Sequence, residues 1–451
     1  MSEKQDNTIN IEAMDNNFKL FVTLDIGTTR ITAVATRIYH NNSRYEVIGV
    51  SKEECNSLKN GIIINPIEVS STIKTVIKEL SDKLSIQISE LYVTISSYKL
   101  KNVSNLCYRI IQENTPISKV DIEQLLGDNY RYAVNLGEQI LHVIPQNFYV
   151  DKELVEGNPI GMDCNRLEGE YNIIIAEQEI ITNVRRSVSM AGFNVAEIIA
   201  SPVATAYGTL SEEEMEAGVV VVDIGAATTD VAIFTHGILR YVATIPFGGA
   251  NITSDVKEAF AVLPKQAEAL KRRFGVALEQ KVIDEEEFFI SVPRVKGWTP
   301  KEVSRKDLAA VIEARMAEII DIVSKHIEIS ETYDDIGAGI VVLGGGSNLF
   351  EIESLINLKT GLDVKKGDYA PMFDVSDYVG KKPTSVSLGL LRSKGLYTQV
   401  EAKEQKLFEV EAKEPVKKEA PKKEKSQKKK IADKILNWSL TSLFDSTDTE
   451  M

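Results

Sequence analysis

The chain has 451 residues, of which 43% are hydrophobic and 26% are charged, so it is long enough for two or more domains, each with its own core. Its net charge of −14 argues against nucleic acid as an electrostatic partner. Three widely spaced cysteines predict a reducing compartment rather than a disulfide framework, and no apolar run approaches the roughly 18 residues that a membrane-spanning helix needs.

The chain begins with a polar segment that leads into strand and helix patterns. Residues 1–17 are polar and predict a disordered lead. Residues 18–85 begin a first lobe, in which Pro66 suits a first helical position and the apolar residues after it recur at helical spacing. Before that helix, apolar and β-branched runs predict three strands, over Leu20–Leu24, Ile31–Ile38 and Tyr45–Val50.

The middle of the chain changes its pattern twice. Residues 86–165 combine several strand patterns with one short helix and predict a small α+β domain of their own. Residues 166–212 return to the helices and strands of the first lobe. Residues 213–397 predict a second lobe, in which a long helix near Ser304–Ile329 precedes another apolar strand.

The last part of the chain has a distinct composition. Residues 398–430 have the composition of a solvated linker, and Lys413 to Lys430 alone contains nine lysines and three glutamates. Residues 431–445 predict an amphipathic helix, followed by a tail over 446–451. The apolar face of this helix consists of Ile431, Ile435, Leu436, Trp438, Leu440, Leu443 and Phe444, directly after Lys428, Lys429 and Lys430. Apolar burial beside positive charge favours binding to an anionic membrane surface; the alternative is a helix that docks on the protein's own body or on a partner.

Two distant segments share one pattern. "LFVTLDIGTTRITAVA" occupies residues 20–35 and "VVVVDIGAATTDVAIF" occupies residues 219–234, and their aspartates Asp25 and Asp223 are 223 − 25 = 198 residues apart. This spacing suits two halves of one fold rather than a repeat array. In each segment a strand delivers a carboxylate to a sheet edge, and the glycine and polar residues after it can cradle phosphate beside Mg²⁺. One copy alone would favour a plain β-hairpin, whereas two copies favour a clamp on phosphates from both sides.

Two further motifs lie in the second lobe. In "GIVVLGGGSNL" a strand ends in three glycines, which would let a base and ribose lie against the backbone, and Ser347 or Asn348 is predicted to cap the next helix. In "AEALKRRFG", Glu268 and Lys271 share one helix face. That pair is either a helix salt bridge or, in a nucleotide-binding fold, a contact to ribose and base.

In this order, the two Asp-Ile-Gly hairpins, the "AExxK" helix and the "GGGSNL" turn resemble the actin/Hsp70/sugar-kinase superfamily. Within it, the chain from about Phe18 to Tyr397 resembles the FtsA family of bacterial cell-division proteins, most specifically in "ILHVIPQNFYVD", "EGNPIGMDCNRLEGEYNII" and "IPFGGANITSDV". The resemblance implies an α/β class: an actin-like, two-lobed ATPase fold with a small α+β domain inserted in the first lobe. It also implies a flexible linker and an amphipathic membrane helix at the C-terminus.

The resemblance further implies that ATP and Mg²⁺ bind between the lobes. The implied nucleotide-binding residues are Asp25, Gly27, Thr28 and Thr29 in the first hairpin, Asp223, Gly225, Thr228 and Thr229 in the second, and Glu268, Lys271, Gly344, Gly345, Gly346 and Ser347. Asp25 and Asp223 are the implied metal ligands, through water.

Two sites depart from the superfamily pattern. Ser201, in "SPVATAYG", stands where hydrolytic members carry an acid or amide that orients the attacking water, and serine cannot serve as a carboxylate base at neutral pH. We therefore expect tight ATP binding with slow or negligible hydrolysis, and we assign no catalytic residue. Ala226 and Ala227 replace glycines that are frequent in the second hairpin, which limits how closely a phosphate can approach it.

The function implied by the resemblance is that of an actin-like, ATP-binding cell-division protein on the cytoplasmic face of the inner membrane, at the division septum. It would polymerise there, tether FtsZ filaments and recruit later division proteins through the inserted domain. Two alternatives stay open. A pilus-assembly-type actin-like protein should lack the lysine-rich linker and the amphipathic terminus, and a metabolite kinase of the superfamily would need a base beside the γ-phosphate.

Overall fold

The computed structural model describes residues 18–39, 45–112, 115–282, 289–293, 299–375, 378 and 380–396. The predicted lead over 1–17 lies outside the described residues, as do the predicted linker over 398–430, the membrane helix over 431–445 and the tail over 446–451. Among the residues that the structure describes, no helix combines the length and the hydropathy needed to span a membrane.

The secondary structure is mixed along the whole described chain. Its strands, numbered in chain order, are β1 (Phe18–Ile26), β2 (Arg30–Tyr39), β3 (Tyr45–Glu54), β4 (Leu58–Lys59), β5 (Ile62–Ile63), β6 (Glu90–Ile95), β7 (Lys101–Ile110), β8 (Glu138–Val150), β9 (Glu153–Val155), β10 (Arg166–Glu177), β11 (Asn194–Ala200), β12 (Val219–Ile224), β13 (Thr229–Thr235), β14 (Ile238–Ile245), β15 (Phe289–Val292), β16 (Lys301–Ser304), β17 (Ile340–Leu343), β18 (Val364–Lys366) and β19 (Phe373–Asp374). Its α-helices are α1 (Pro66–Leu84), α2 (Lys119–Asn129), α3 (Gln178–Met190), α4 (Ser201–Thr209), α5 (Glu212–Ala217), α6 (Gly249–Phe260), α7 (Pro264–Phe274), α8 (Arg305–Ile329), α9 (Ile352–Thr360) and α10 (Ser385–Ser393). The three predicted N-terminal strands, the helix from Pro66 and the long helix near 304–329 are confirmed.

The two lobes repeat one sheet topology. In the first lobe β1, β2 and β3 form an antiparallel meander, and β6 and then β11 add in parallel beside β1, giving the order β11-β6-β1-β2-β3-β19. In the second lobe β12, β13 and β14 form the same meander, and β17 and then β18 add in parallel beside β12. Because the carboxyl ends of β1 and β6, and of β12 and β17, meet at one sheet edge, each lobe gathers its turns at a single edge.

Helix α1 shows how local sequence supports this framework. Asn65 caps the helix by accepting the backbone N–H groups of Ile67 and Glu68, and Pro66 follows at the first helical position. The helix turns one apolar face towards the first-lobe sheet, and that face consists of Val69, Ile73, Val76, Ile77 and Leu80, all buried. The periodicity that predicted the helix therefore also identifies its packing face.

The inserted domain is a separate four-stranded sheet of order β7-β10-β8-β9, covered by α2. Its bounds differ from the predicted 86–165. Strand β6 pairs with β1 and β11 in the first-lobe sheet, whereas β10 pairs with β7 and β8 over its whole length. The insertion therefore runs from β7 to β10, since strand pairing rather than local composition decides to which sheet a strand belongs.

Helices α4 and α10 pack against each other at two glycines, and the core that contains α4 includes residues from the sheets of both lobes. A Cβ atom on Gly389 would lie 1.7 Å from the carbonyl oxygen of Ala204, and one on Gly208 would lie 1.9 Å from the carbonyl oxygen of Ser385. Only hydrogen side chains permit this backbone approach. The crossing sets the relative positions of the helix N-termini at Ser201 and Ser385, both of which border the candidate site.

Candidate functional site

The two Asp-Ile-Gly hairpins have the same local geometry. Asp25 and Asp223 each occupy the next-to-last position of their strand. The N–H of Gly27 donates to the carbonyl oxygen of Arg30 at 3.1 Å, and the N–H of Gly225 donates to that of Thr228 at 2.8 Å. The duplication predicted from sequence is therefore a duplication of turn geometry, and each turn lies at the edge of its own sheet.

Asp25 and Asp223 are close enough to influence each other's ionisation. Burial, together with the negative charges of Asp230 and Asp25, raises the pKa of Asp223 to about 7. Burial also raises the pKa of Asp25, although hydroxyl hydrogen bonds and nearby cations partly offset this. The structure thus brings both predicted metal-binding carboxylates into one electrostatic site between the lobes.

A third carboxylate, Asp230, was not assigned a role from sequence. Asp230 pairs with Asp223 across the second hairpin. Burial raises its pKa to about 6, and hydrogen bonds from Thr244, Ser201 and Ser96 oppose that rise. The hydroxyl of Thr244 donates to Asp230 Oδ1 at 2.6 Å, and that of Ser96 donates to the same atom at 3.4 Å. The signal was present as the second aspartate of "DIGAATTD", but only the fold shows that Ser96 of the first lobe reaches it.

The predicted pair Glu268 and Lys271 belongs to a network at the base of the second hairpin. Lys271 Nζ lies 2.7 Å from Glu268 Oε2 and donates to the carbonyl oxygen of Gly249 and the hydroxyl of Thr253, both at 2.8 Å. Gly249 in turn donates its N–H to the carbonyl oxygen of Gly225 at 3.0 Å. Burial alone would raise the pKa of Glu268, but the Lys271 ammonium and the Thr253 hydroxyl hold it below its ordinary value. The predicted salt bridge is present. The hydrogen bonds of Lys271 attach α7 to α6, and the N–H of Gly249 attaches α6 to the second turn.

The glycine turn after β17 lies directly beside the second hairpin. Strands β12 and β17 pair in parallel, with Asp223 opposite Leu343. A Cβ on Gly344 would lie 2.2 Å from Asp223 Oδ1, whereas Gly345 faces open space. The turn is therefore closed against the carboxylate at its first glycine and accessible at its second.

The predicted cap of the helix after this turn is wrong. The hydroxyl of Ser347 donates to the carbonyl oxygen of Gly344 at 2.9 Å, and the side chain of Asn348 donates to that of Gly345. Both residues lie in a short 3₁₀ turn over Gly346–Asn348. Helix α9 begins only later, and its N-cap is Glu351, in the left-handed region with φ 61°. Both polar side chains close the glycine turn itself, which keeps it rigid beside Asp223.

The oxygen donors of the site fit a hard divalent cation bound through water. Asp25 accepts hydroxyl hydrogen bonds from Thr94 and Thr384, both at 3.2 Å, and the charged neighbours that act on the pKa of Asp223 are the carboxylates Asp230 and Asp25. Three carboxylates in mutual repulsion are stabilised by added positive charge, and Mg²⁺ prefers oxygen ligands and retains several waters. Within the described part of the chain, no group of three acidic, histidine or cysteine side chains is placed to hold a metal ion by itself.

The inserted domain is hydrogen bonded to the edge strand of the second lobe. The Asn102 side chain donates to the carbonyl oxygen of Val242 at 2.6 Å and accepts the N–H of Val242 at 3.2 Å, as a neighbouring strand would. The Asn172 side chain donates to the carbonyl oxygen of Arg240 at 2.9 Å. The free edge of β14 is thus satisfied by side-chain amides, which covers an otherwise open sheet edge.

A histidine joins the inserted domain to the first lobe. His142 Nε2 on β8 accepts the N–H of Ala200 at 3.0 Å, immediately before α4 begins at Ser201. Burial lowers the pKa of His142 to about 3, so the ring stays neutral at physiological pH and keeps this acceptor. The inserted domain therefore contacts both lobes next to the candidate site.

The repeated sheets, the paired aspartate hairpins and the inserted domain define an actin-like two-lobed fold. A solved structure with the same fold is the PilM–PilN type IV pilus biogenesis complex, which matches with a TM-score of 0.55 at 17% identity and covers 82% of this chain and 98% of the matched chain.

Sequence comparison resolves the class further. The family described as cell division protein FtsA matches residues 220–387, and the SHS2 domain inserted in FtsA matches residues 97–175. The cell division protein FtsA of Pseudomonas aeruginosa is 30% identical over 83% of this chain and 88% of its own length. That of Borreliella burgdorferi is 30% identical over 94% of this chain and 99% of its own length. The chain belongs to the FtsA family of cell division proteins.

The carboxylates predict how stability depends on pH. The folded pKa of Asp223, about 7, lies above its ordinary value, so its contribution to stability is complete at acid pH and is lost as the pH rises through 7. Asp230, with a folded pKa of about 6, acts in the same sense, whereas His142 offsets part of the loss, because the unfolded chain already takes up protons at this histidine between pH 7.5 and 6.5. Without nucleotide, the free energy of unfolding should therefore fall by about half a kcal/mol from pH 6.5 to 7.5. Thermal melts at both pH values test this, and Asp223→Asn should flatten the slope; an unchanged slope would contradict the assignment.

Proposed function

We propose that this protein binds Mg²⁺·ATP between its lobes and, in that state, polymerises on the cytoplasmic face of the inner membrane at the division septum, where it tethers FtsZ filaments. The observation that carries the nucleotide part is the matched pair of Asp-Ile-Gly hairpins, one from each lobe, whose carboxylates share one electrostatic site. Membership of a cell-division family supports the cellular part.

Different residues of the site would bind the phosphates, the metal and the nucleoside. The turns after Asp25 and Asp223 present backbone N–H groups and hydroxyls to phosphate oxygens, and the two carboxylates hold the waters of the metal. Gly345, which faces open space, would contact the nucleoside, with Glu268 and Lys271 near the ribose. Bound Mg²⁺ would supply positive charge that relieves the carboxylate repulsion and screens the phosphates.

Slow hydrolysis is part of the proposal. Ser201 lies at the first turn of α4, and its hydroxyl hydrogen bonds to Asp230, so neither group is free to orient a water without a rearrangement. A site that binds ATP tightly and turns it over slowly suits a protein whose ATP-bound state is the polymerising one.

Membrane attachment would come from the amphipathic segment over 431–445, and recruitment of later division proteins from the inserted domain. The two attachments to membrane and to FtsZ would reinforce each other, because a polymer presents many short helices to one surface. A single short helix binds reversibly, so polymerisation is what would make the tether persist.

The test is co-sedimentation of the full-length protein and of residues 1–430 with anionic liposomes, in the presence of ATP, with and without FtsZ. We expect only the full-length protein to pellet with liposomes and to carry FtsZ with it, with an at least tenfold difference in bound fraction. Retention of the shortened chain on liposomes would contradict the tether.

A matched pair of variants separates the apolar face from charge alone. Leu436→Asp with Leu440→Asp places two carboxylates on the apolar face, and Asn437→Asp with Thr441→Asp places two on the opposite side. The first pair should abolish liposome binding, whereas the second should weaken it only slightly. Equal loss in both would assign binding to the lysines alone.

A further inference from the structure

A row of polar side chains crosses the first-lobe sheet at the candidate site. Asp25 on β1 pairs with Thr32 on β2, and Thr32 pairs with Lys52 on β3. The Thr94 hydroxyl on β6 donates to Asp25 Oδ1 at 3.2 Å. Because cross-strand partners point to the same face, the four side chains form one line across four strands. Thr32 is fully buried, and its hydroxyl has no hydrogen-bond partner in the described part of the chain.

Three cations gather at the Lys52 end of this row. Arg30 lies two residues before Thr32 on β2 and therefore shares its face. Lys381 donates from Nζ to the carbonyl oxygen of Lys52 at 3.2 Å and lies 3.6 Å from Glu79. Among the described residues, neither Arg30 nor Lys52 forms a salt bridge. Burial lowers the pKa of Lys52 and the charge of Arg30 lowers it further, whereas the Asp25 carboxylate opposes this shift. Three cations here face two carboxylates, Asp25 and Glu79, so the cluster can accept a further negative charge.

The cluster borders the turn of the first hairpin. The N–H of Cys55, directly after β3, donates to the carbonyl oxygen of Thr29 at 3.0 Å, which holds the end of β3 against that turn. Arg30 is the residue with which the turn ends. An anion resting on the N–H groups of the turn would therefore lie between Asp25 and its metal on one side and the three cations on the other.

We propose that Arg30, Lys52 and Lys381 bind the terminal phosphate of a nucleoside triphosphate and make this end of the site selective for triphosphate over diphosphate. The inference rests on the proposed function, since it places a nucleotide between the lobes. In that placement the nucleoside lies at the glycine turn of the second lobe, so the phosphate chain ends at the first hairpin. Long cationic side chains at the far end of the polar row match the group that ATP has and ADP lacks.

Lys52→Met in the full-length chain tests this, because methionine keeps an unbranched apolar side chain and removes the charge. Titration calorimetry with Mg²⁺ should show ATP affinity reduced about tenfold or more and ADP affinity changed less than about twofold. Lys381→Met should act in the same direction. Lys59→Met, an exposed lysine on β4, is the matched control and should leave both affinities unchanged.

Stability supplies an independent readout. Because Lys52 is partly buried beside two like charges, Lys52→Met should leave the melting temperature of the nucleotide-free protein unchanged or raise it, which excludes misfolding as the cause of lost affinity. Equal loss of ATP and ADP affinity, or no loss of either, would overturn the inference while leaving the nucleotide site intact.

Two further outcomes distinguish a failure of this inference from a failure of the proposed function. If inorganic phosphate stabilises the nucleotide-free protein, and Lys52→Met removes that effect without changing the ratio of ATP to ADP affinity, the cluster binds a free anion and the inference fails. If the unaltered protein binds neither nucleotide, the proposed function fails and this inference fails with it.

Discussion

Gly389→Ala is expected to reduce the free energy of unfolding by about 3 kcal/mol or more. A Cβ at this position would lie 1.7 Å from the carbonyl oxygen of Ala204 and 2.5 Å from the backbone nitrogen of Gly208. Both neighbours are helix backbone, so relief requires α4 and α10 to separate rather than a side chain to rotate. Overpacking of flexible side chains typically costs 1–3 kcal/mol, and a backbone clash between two buried helices lies at or above the upper end.

The effect should extend to the candidate site, because α10 follows Thr384, whose hydroxyl donates to Asp25 at 3.2 Å. Urea denaturation and thermal melting measure the stability change. Gly127→Ala is the matched control: it is also a helical glycine, on α2, and a Cβ there meets no atom within 4 Å. That variant should be stabilised by about 0.5–1 kcal/mol. A Gly389→Ala protein as stable as the Gly127→Ala protein would refute the close crossing.

Local periodicity carried most of the secondary structure. Apolar spacing alone predicts the strands that contain Asp25 and Asp223, the helix from Pro66 and the long helix α8. In each of these runs the spacing of the apolar residues fits one type of secondary structure with one buried face. The repeated Asp-Ile-Gly pattern also predicted that the two halves share a topology, because such a duplication is visible in sequence before any contact is known.

Apolar periodicity does not predict contacts between segments that are distant in sequence. The role of Asp230 depends on Ser96, which is 134 residues away and lies after β6 of the other lobe. The bounds of the inserted domain depend on whether β6 and β10 pair with β1 or with β7, and both strands have similar apolar composition. The prediction for the cap of α9 was wrong for a related reason. Ser347 and Asn348 have side chains suited to capping, but in the fold they hydrogen bond to the carbonyl oxygens of the glycine turn beside Asp223.

The inserted domain meets the second lobe through apolar packing as well as amide contacts, since Leu141 and Ile144 of β8 share one buried core with Leu239 and Val242 of β14. Gln146 on β8 donates to the carbonyl oxygen of Leu239 at 3.0 Å and accepts from Arg240 at 3.2 Å, beside the contacts of Asn102 and Asn172. Partners that bind the inserted domain would therefore act next to β14, whose neighbour β13 carries Asp230.

Asp223→Asn is expected to weaken Mg²⁺·ATP binding by roughly 30-fold or more, since truncating one charged partner of a buried, charge-assisted contact costs about 2–5 kcal/mol. Asparagine keeps the size of the side chain and one acceptor oxygen but removes the negative charge that the metal and its waters need. Titration calorimetry with ATP in the presence of Mg²⁺ measures the loss. Unchanged affinity would mean that the second hairpin does not hold the metal.

The same substitution should raise the stability of the nucleotide-free protein at neutral pH. Burial disfavours the ionised form of Asp223, and Asp230 and Asp25 repel its charge, so the neutral amide removes an unfavourable interaction that a bound cation would offset. Affinity and stability should therefore change in opposite directions, which a misfolded variant cannot reproduce. Asp255→Asn provides a matched control on α6, because Asp255 Oδ2 lies 2.6 Å from Arg315 Nε and this ion pair is not part of the carboxylate site. Loss of the Asp255 charge should lower stability while leaving ATP affinity unchanged. If Asp223→Asn instead destabilises the nucleotide-free protein as Asp255→Asn does, the Asp223 carboxylate stabilises the folded state by itself. That result would contradict its assignment as a metal-binding group.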